Sequence, residues 1–116
     1  MALAKLGPIE ILAAQGSTTT VDLSTITGLG PPDNFHKHKA LCSATGGTWV
    51  FVFQESPDDG STWIDVTDEL TLAAGETGTI RLNDAVADLR LSATRTAGTC
   101  DVWATQHDDV TMSPRG

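Results

Sequence analysis

Residues 49–53 read Trp-Val-Phe-Val-Phe, five β-branched or aromatic side chains with no polar member. They are bounded by Gly46-Gly47 before and Pro57-Asp58-Asp59-Gly60 after. Such a run is a strand. Alternation puts Trp49, Phe51 and Phe53 on one face and Val50 and Val52 on the other, so both faces need cover. In a chain of 116 residues only a central strand or a subunit interface provides that. Pro57 arrives with φ set for a turn, Asp58 and Asp59 can bond their own backbone, and Gly60 accepts positive φ. The spacing therefore predicts that residues 62–67 return antiparallel. Nothing in this hairpin offers reactive chemistry.

The rest of the chain repeats the same short period. Ile9, Ile11 and Ala13 alternate with Glu10 and Leu12, and Gln15-Gly16 turns the strand into Thr19, Val21 and Leu23, an opening hairpin. Residues 28–34, rich in Gly and Pro, form the main expected loop. Ala40, Cys42 and Ala44 then share a face, with Leu41, Ser43 and Thr45 on the other. Ile80 with Leu82, Leu89 with Leu91 and Ala93, and Cys100 with Val102 and Ala104 supply further inward sets. About eight short strands result, so the fold class is all-β: a single antiparallel β-sandwich, immunoglobulin-like or jelly-roll-like. Residues 9–107 form the domain, residues 1–8 an N-terminal arm and residues 108–116 a polar tail. The immunoglobulin spacing itself is not met, since Trp49 follows Cys42 too closely and Gly98 stands where a corner tyrosine belongs.

A net charge of −8 and a pI near 4.5 argue against nucleic acid or an anionic membrane as partner, because both require a basic patch. Residues 1–14 are broken by Lys5, Gly7, Pro8 and Glu10, which is not the pattern of a secretory signal. The two cysteines, Cys42 and Cys100, fall in strand-like segments and are expected as buried free thiols.

Three constellations invite chemistry. His36 and His38 would share a strand face, and His107 with Asp108 and Asp109 would complete a metal site if the two strands pair; a charged, solvated strand start is the expected reading of the histidines. Asp58, Asp59, Asp65, Asp68, Glu69, Asp84 and Asp88 offer a calcium cradle or a paired general acid and base, but turn formation accounts for the densest pair. No nucleophile elbow or phosphate loop is present. The expectation is a protein that is not an enzyme and that holds no cofactor and no metal. Trp63 and Trp103 stand out differently: with Ile64 and Val66 inward, and Val102 and Ala104 inward, both tryptophans face out. They would stack on sugar rings, pack on a neighbouring subunit, or tuck under a loop of the sandwich itself.

Residues 52–66 read V-F-Q-E-S and then P-D-D-G-S-T-W-I-D-V. This stretch resembles a hairpin of small β-sandwich proteins from tailed-phage particles, including head decoration (cement) proteins, and of sugar- or surface-binding sandwiches. Residues 81–83, 89–94 and 98–105 are similar to the second half of such domains. The resemblance implies a non-enzymatic virion structural protein on the capsid exterior, assembled in the host cytoplasm, that binds and stabilises the assembled head. Its partners would be the major capsid protein or another virion protein, and further copies of itself, a trimer being one arrangement. The alternatives are a carbohydrate-binding or adhesion module and a tail or neck structural protein. The expected contact residues are Leu3, Leu6 and Ile9 of the arm, Leu29 and Phe35 of the loop, and Trp63 and Trp103.

Overall fold

Alternating short apolar segments must pair to satisfy their backbones, and the pairing they adopt is nested. The computed structural model describes residues 4–29, 37–83 and 88–108. These form nine strands: β1 (Ala4–Gln15), β2 (Thr19–Asp22), β3 (Lys37–Thr45), β4 (Trp49–Ser56), β5 (Ile64–Asp65), β6 (Leu70–Leu72), β7 (Thr77–Leu82), β8 (Asp88–Arg95) and β9 (Thr99–Asp108). Sheet A has the order β1-β9-β3-β7; sheet B has β2-β8-β4-β5, with β6 also paired to β4. Antiparallel partners run β1 with β9, β2 with β8, β3 with β7 and β4 with β6, each pair enclosing the next. The chain crosses between sheets at nearly every connection. That is the winding of a jelly roll, so the fold is an all-β, two-sheet antiparallel sandwich of jelly-roll rather than immunoglobulin topology.

The expected opening hairpin is not formed. β1 pairs with β9 in sheet A and β2 with β8 in sheet B, so the turn at residues 16–18 links two sheets. Leu23, expected on the second strand, sits instead in a 3-10 turn (Leu23–Thr25), buried. Asp22 caps that turn by accepting from the Ser24 N–H at 3.0 Å. The expected arm also differs, because residues 4–8 belong to β1 and pair with the end of β9. Register shifts between Leu6 and Ile9 and between Glu10 and Leu12 break the simple alternation of β1. They place Leu6, Ile9 and Leu12 opposite the buried Gln106, Ala104 and Val102, while Ala13 is exposed. At the first shift Gly7 has φ +95°, and a Cβ there would lie 2.5 Å from the Ala104 carbonyl oxygen, so no other residue passes without displacement. The irregular edge discourages pairing with another chain.

Between the sheets the side chains are unequal. Sheet B contributes Trp49, Phe51, Phe53, Leu89 and Leu91, all fully buried; sheet A contributes Ala40, Cys42, Ala44, Cys100, Val102 and Ala104. Large residues thus lie over small ones, which fills the interlayer space. The rings of Trp49 and Phe51 stack at 6.1 Å with 13° between planes. The run at residues 49–53 is the central strand of sheet B, flanked by β8 on one side and by β5 and β6 on the other.

Candidate interaction surface

The hairpin after β4 is held by its own polar groups. Ser56 Oγ accepts from the Gly60 N–H at 2.7 Å, and an Asp58 carboxylate oxygen accepts from the Thr62 N–H at 2.7 Å and from the Ser56 hydroxyl at 3.0 Å. Hydrogen bonding by the Thr62 side chain foremost, then by the Thr62 N–H and the Ser56 hydroxyl, holds the Asp58 carboxyl below the usual range. Asp59 and Gly60 both adopt positive φ, and the Trp63 indole N–H donates to the Gly60 carbonyl at 3.1 Å. Ser56, Asp58, Gly60, Thr62 and Trp63 are thus all engaged in shaping the turn.

From there the outer face of sheet B continues as a closed network. Arg90 on β8 donates from Nε to Gln54 Oε1 at 2.8 Å, Gln54 Nε2 donates to Asp65 at 2.7 Å, and the Arg90 guanidinium lies 4.3 Å from the centre of the Trp63 ring. Val52, on the same side of β4 as Gln54, is buried although it lies outside the main core cluster. Trp63 is therefore half-buried against its own sheet. Ile64, expected to face inward, is 51% exposed, because it sits opposite Glu55 where β5 has only two residues and no strand beyond it.

The outer face of sheet A is different in kind. Across it, Glu10, Trp103, Leu41 and Thr79 stand in one row, and Thr105, Lys39 and Arg81 in the next. Leu41 is 46% exposed and Trp103 half-buried. Lys39 and Arg81 are directly opposite one another, like charges at cross-strand spacing. Among the described residues neither has an ion-pair or hydrogen-bond partner, nor does the Trp103 indole N–H.

The expected contact residues are thus dispersed. Trp63 and Trp103 lie on opposite outer faces and make no common platform. Leu6 and Ile9 turn toward the interior side of β1, and the Ile9 side chain reaches within 3.1 Å of where a Gly28 Cβ would be, beside the half-buried Leu29. Leu3 and Phe35 lie outside the described residues, as does most of the expected loop at residues 28–34. Sequence reasoning missed Leu41, Lys39 and Arg81; the signal was an apolar residue in the outward set of a strand otherwise alternating cleanly, whose importance depends on which strands flank it.

The chemical constellations separate on the same grounds. His38 is buried opposite Gln106, whereas His107 stands on the outer face opposite Lys37, and the alternation of β3 and β9 keeps the two imidazoles on different sides of the sheet. His36, Asp84 and Asp109 lie outside the described residues. Among the described residues no three His, Cys, Asp or Glu side chains cluster as metal ligands would. A cleft of about 450 Å³ opens at the sandwich edge where residues 66–70 part from β7; Asp68, Glu69 and Arg81 line it. Cys42 and Cys100 are free thiols buried on the inner side of sheet A. Burial, helped by the proximity of Cys100, pushes the Cys42 thiol up to about 12, and burial with Asp101 nearby pushes Cys100 up to about 11, so both stay protonated.

No protein-family model matches the chain, and no curated protein matches it in sequence. Solved structures do. The coat protein dimer of Tobacco streak virus is similar at a TM-score of 0.55 and 12% identity, covering 97% of this chain and 91% of that one. A second crystal form of the same coat protein gives 0.51 and 14%, covering 97% and 90%. A xylan-binding domain of carbohydrate-binding family 22 gives 0.43 and 11%, covering 90% and 78%, too slight a likeness to bear on function. At these identities the coat protein defines the fold alone: the chain is a β-sandwich of the kind from which a viral coat protein is made.

Proposed function

We propose that the protein is a non-enzymatic structural component of a virus particle, a decoration protein that binds the assembled head from outside and stabilises it. The observation that carries this reading is the jelly-roll sandwich itself, similar over 97% of the chain to a viral coat protein, combined with an outer sheet face whose apolar and charged residues are left for a partner. A buried interior occupied by thiols held in the protonated form, and a conspicuous hairpin consumed by its own turn, favour binding over catalysis. The partner is the major capsid protein or another virion protein, and assembly takes place in the host cytoplasm. The test is to purify particles from cells producing the protein, count copies per particle by quantitative mass spectrometry, and label intact heads with antibody in negative stain. Stoichiometric copies on the exterior of heads are expected. Copies confined to tails or necks, or absent from particles, would overturn the decoration role.

The position of Trp103 opposite Leu41 on an outer sheet face favours one second reading, a carbohydrate-binding module stacking a sugar on that ring. A glycan array separates the two: specific retention abolished by Trp103→Ala would replace the shell by a glycan as the ligand.

A further inference from the structure

Among the described residues, the two large apolar side chains most open to solvent, Leu41 and Ile64, lie beside charges of opposite sign. Leu41, on the outer face of sheet A, has Lys39 before it on β3, Arg81 diagonal to it on β7 and Trp103 opposite it on β9; Asp101 is diagonal to it on the other side and Glu10 lies beyond Trp103, so the cations gather at the Lys39 end of the patch. Ile64, at the end of sheet B, has Glu55 opposite, Asp65 next in the chain, and Asp58 and Asp59 in the turn that precedes it. Each is an apolar centre with a charged surround, the arrangement of a protein contact with a buried core and polar rim. The signs are complementary. The directly opposed Lys39 and Arg81 give a second reason for a carboxylate partner, because like charges at that spacing destabilise the isolated sheet.

We infer that the Leu41 and Trp103 face of one copy docks on the Ile64 hairpin of a second copy. The two patches occupy different faces of the molecule, so the contact is head-to-tail, and it closes into a ring or continues as a chain instead of ending at a two-fold dimer. Repulsion between whole molecules of charge −8 is screened beyond about 8 Å at physiological ionic strength, which leaves the facing patches to decide the contact. The inference stands apart from the shell reading, and its test needs no particle.

The test uses two variants of the full chain. Lys39→Glu reverses the first patch and places a carboxylate opposite Arg81, so its melting temperature should equal or exceed the parent's. Ile64→Lys reverses the second patch at an exposed position. By sedimentation velocity, the parent should form species larger than a dimer as concentration rises, and each variant alone should be monomeric, its self-association weakened at least about a hundredfold. Mixed together, the variants retain one intact patch each and should give a 1:1 heterodimer that grows no further. A parent that stays monomeric at millimolar concentration, the range reached by copies held on one particle, overturns the inference. So does undiminished association of either variant, or a mixture that remains monomeric. A Lys39→Glu protein melting well below the parent would refute the like-charge argument.

Discussion

Sheet B is heavy inside and closed outside: its inner face carries Trp49, Phe51 and Phe53, and its outer face joins Arg90, Gln54, Asp65 and Trp63 in one network. Sheet A is light inside and open outside, with alanines and thiols beneath and Leu41, Trp103, Lys39 and Arg81 above. The contrast teaches that a sandwich can divide its labour by layer. One sheet supplies the apolar volume that stabilises the fold, and the other, needing only small residues to complete the interior, leaves its outer positions open.

The sharpest way to break this contrast is through the interior of sheet B. Phe51→Ala removes a ring that is fully buried and should cost about 3 to 5 kcal/mol, a large share of the stability of a domain this size. A denaturant titration giving less than about 1 kcal/mol would mean that the aromatic layer is dispensable.

Beneath sheet A, Cys42→Ser should cost about 1 to 3 kcal/mol by burying a hydroxyl. The same thiols set a pH dependence. Their folded values lie above the unfolded 9.0, so their contribution is complete below pH 9 and declines as pH rises toward about 11 and about 12. Urea melts at pH 8 and pH 10 should show the parent losing stability and Cys42→Ser losing less of it; equal losses would remove the thiols from the account.

The outer faces provide a smaller and more direct comparison. Trp63→Ala gives up a hydrogen bond, a cation–π contact and packing on its sheet, roughly 2 kcal/mol in all. Trp103→Ala on the open face should cost less than about 1 kcal/mol. The reverse order of melting temperatures would exchange the roles of the two sheets. Least of all in stability, Arg81→Gln removes one of two opposed cations and should move the melting temperature little, either way, while weakening self-association.

Much of the fold was legible in the sequence. The unbroken run at residues 49–53 marked the central strand, and Ala40, Cys42 and Ala44 or Leu89, Leu91 and Ala93 showed their inward sets by simple alternation. What escaped was pairing at long range. Nothing local in residues 9–23 distinguishes two strands that meet each other from two that meet β9 and β8, and the register shifts of β1 hide its inward residues at a spacing of about three instead of two. The candidate surface was less legible still, because the face around Leu41 exists only once β3 lies between β9 and β7. Trp63 drew attention by its size, yet its partner Arg90 sits on a strand 27 positions later.

Nested pairing also orders the events of folding. Phe51 meets Leu70, Lys39 meets Arg81, Thr20 meets Ser92 and Ala4 meets Asp108, each contact spanning more chain than the last. Closing the outermost pair first would confine almost the whole chain for a single ladder, whereas each inner pair, once made, brings the next two segments close and leaves only short connections to order. The economical route zips outward from the β4–β6 turn, with β1 settling last on β9. Opening by the same path in reverse makes protection from amide exchange greatest in β4 and β6 and least in β1, so the amino-terminal strand can detach and return while the aromatic layer stays intact.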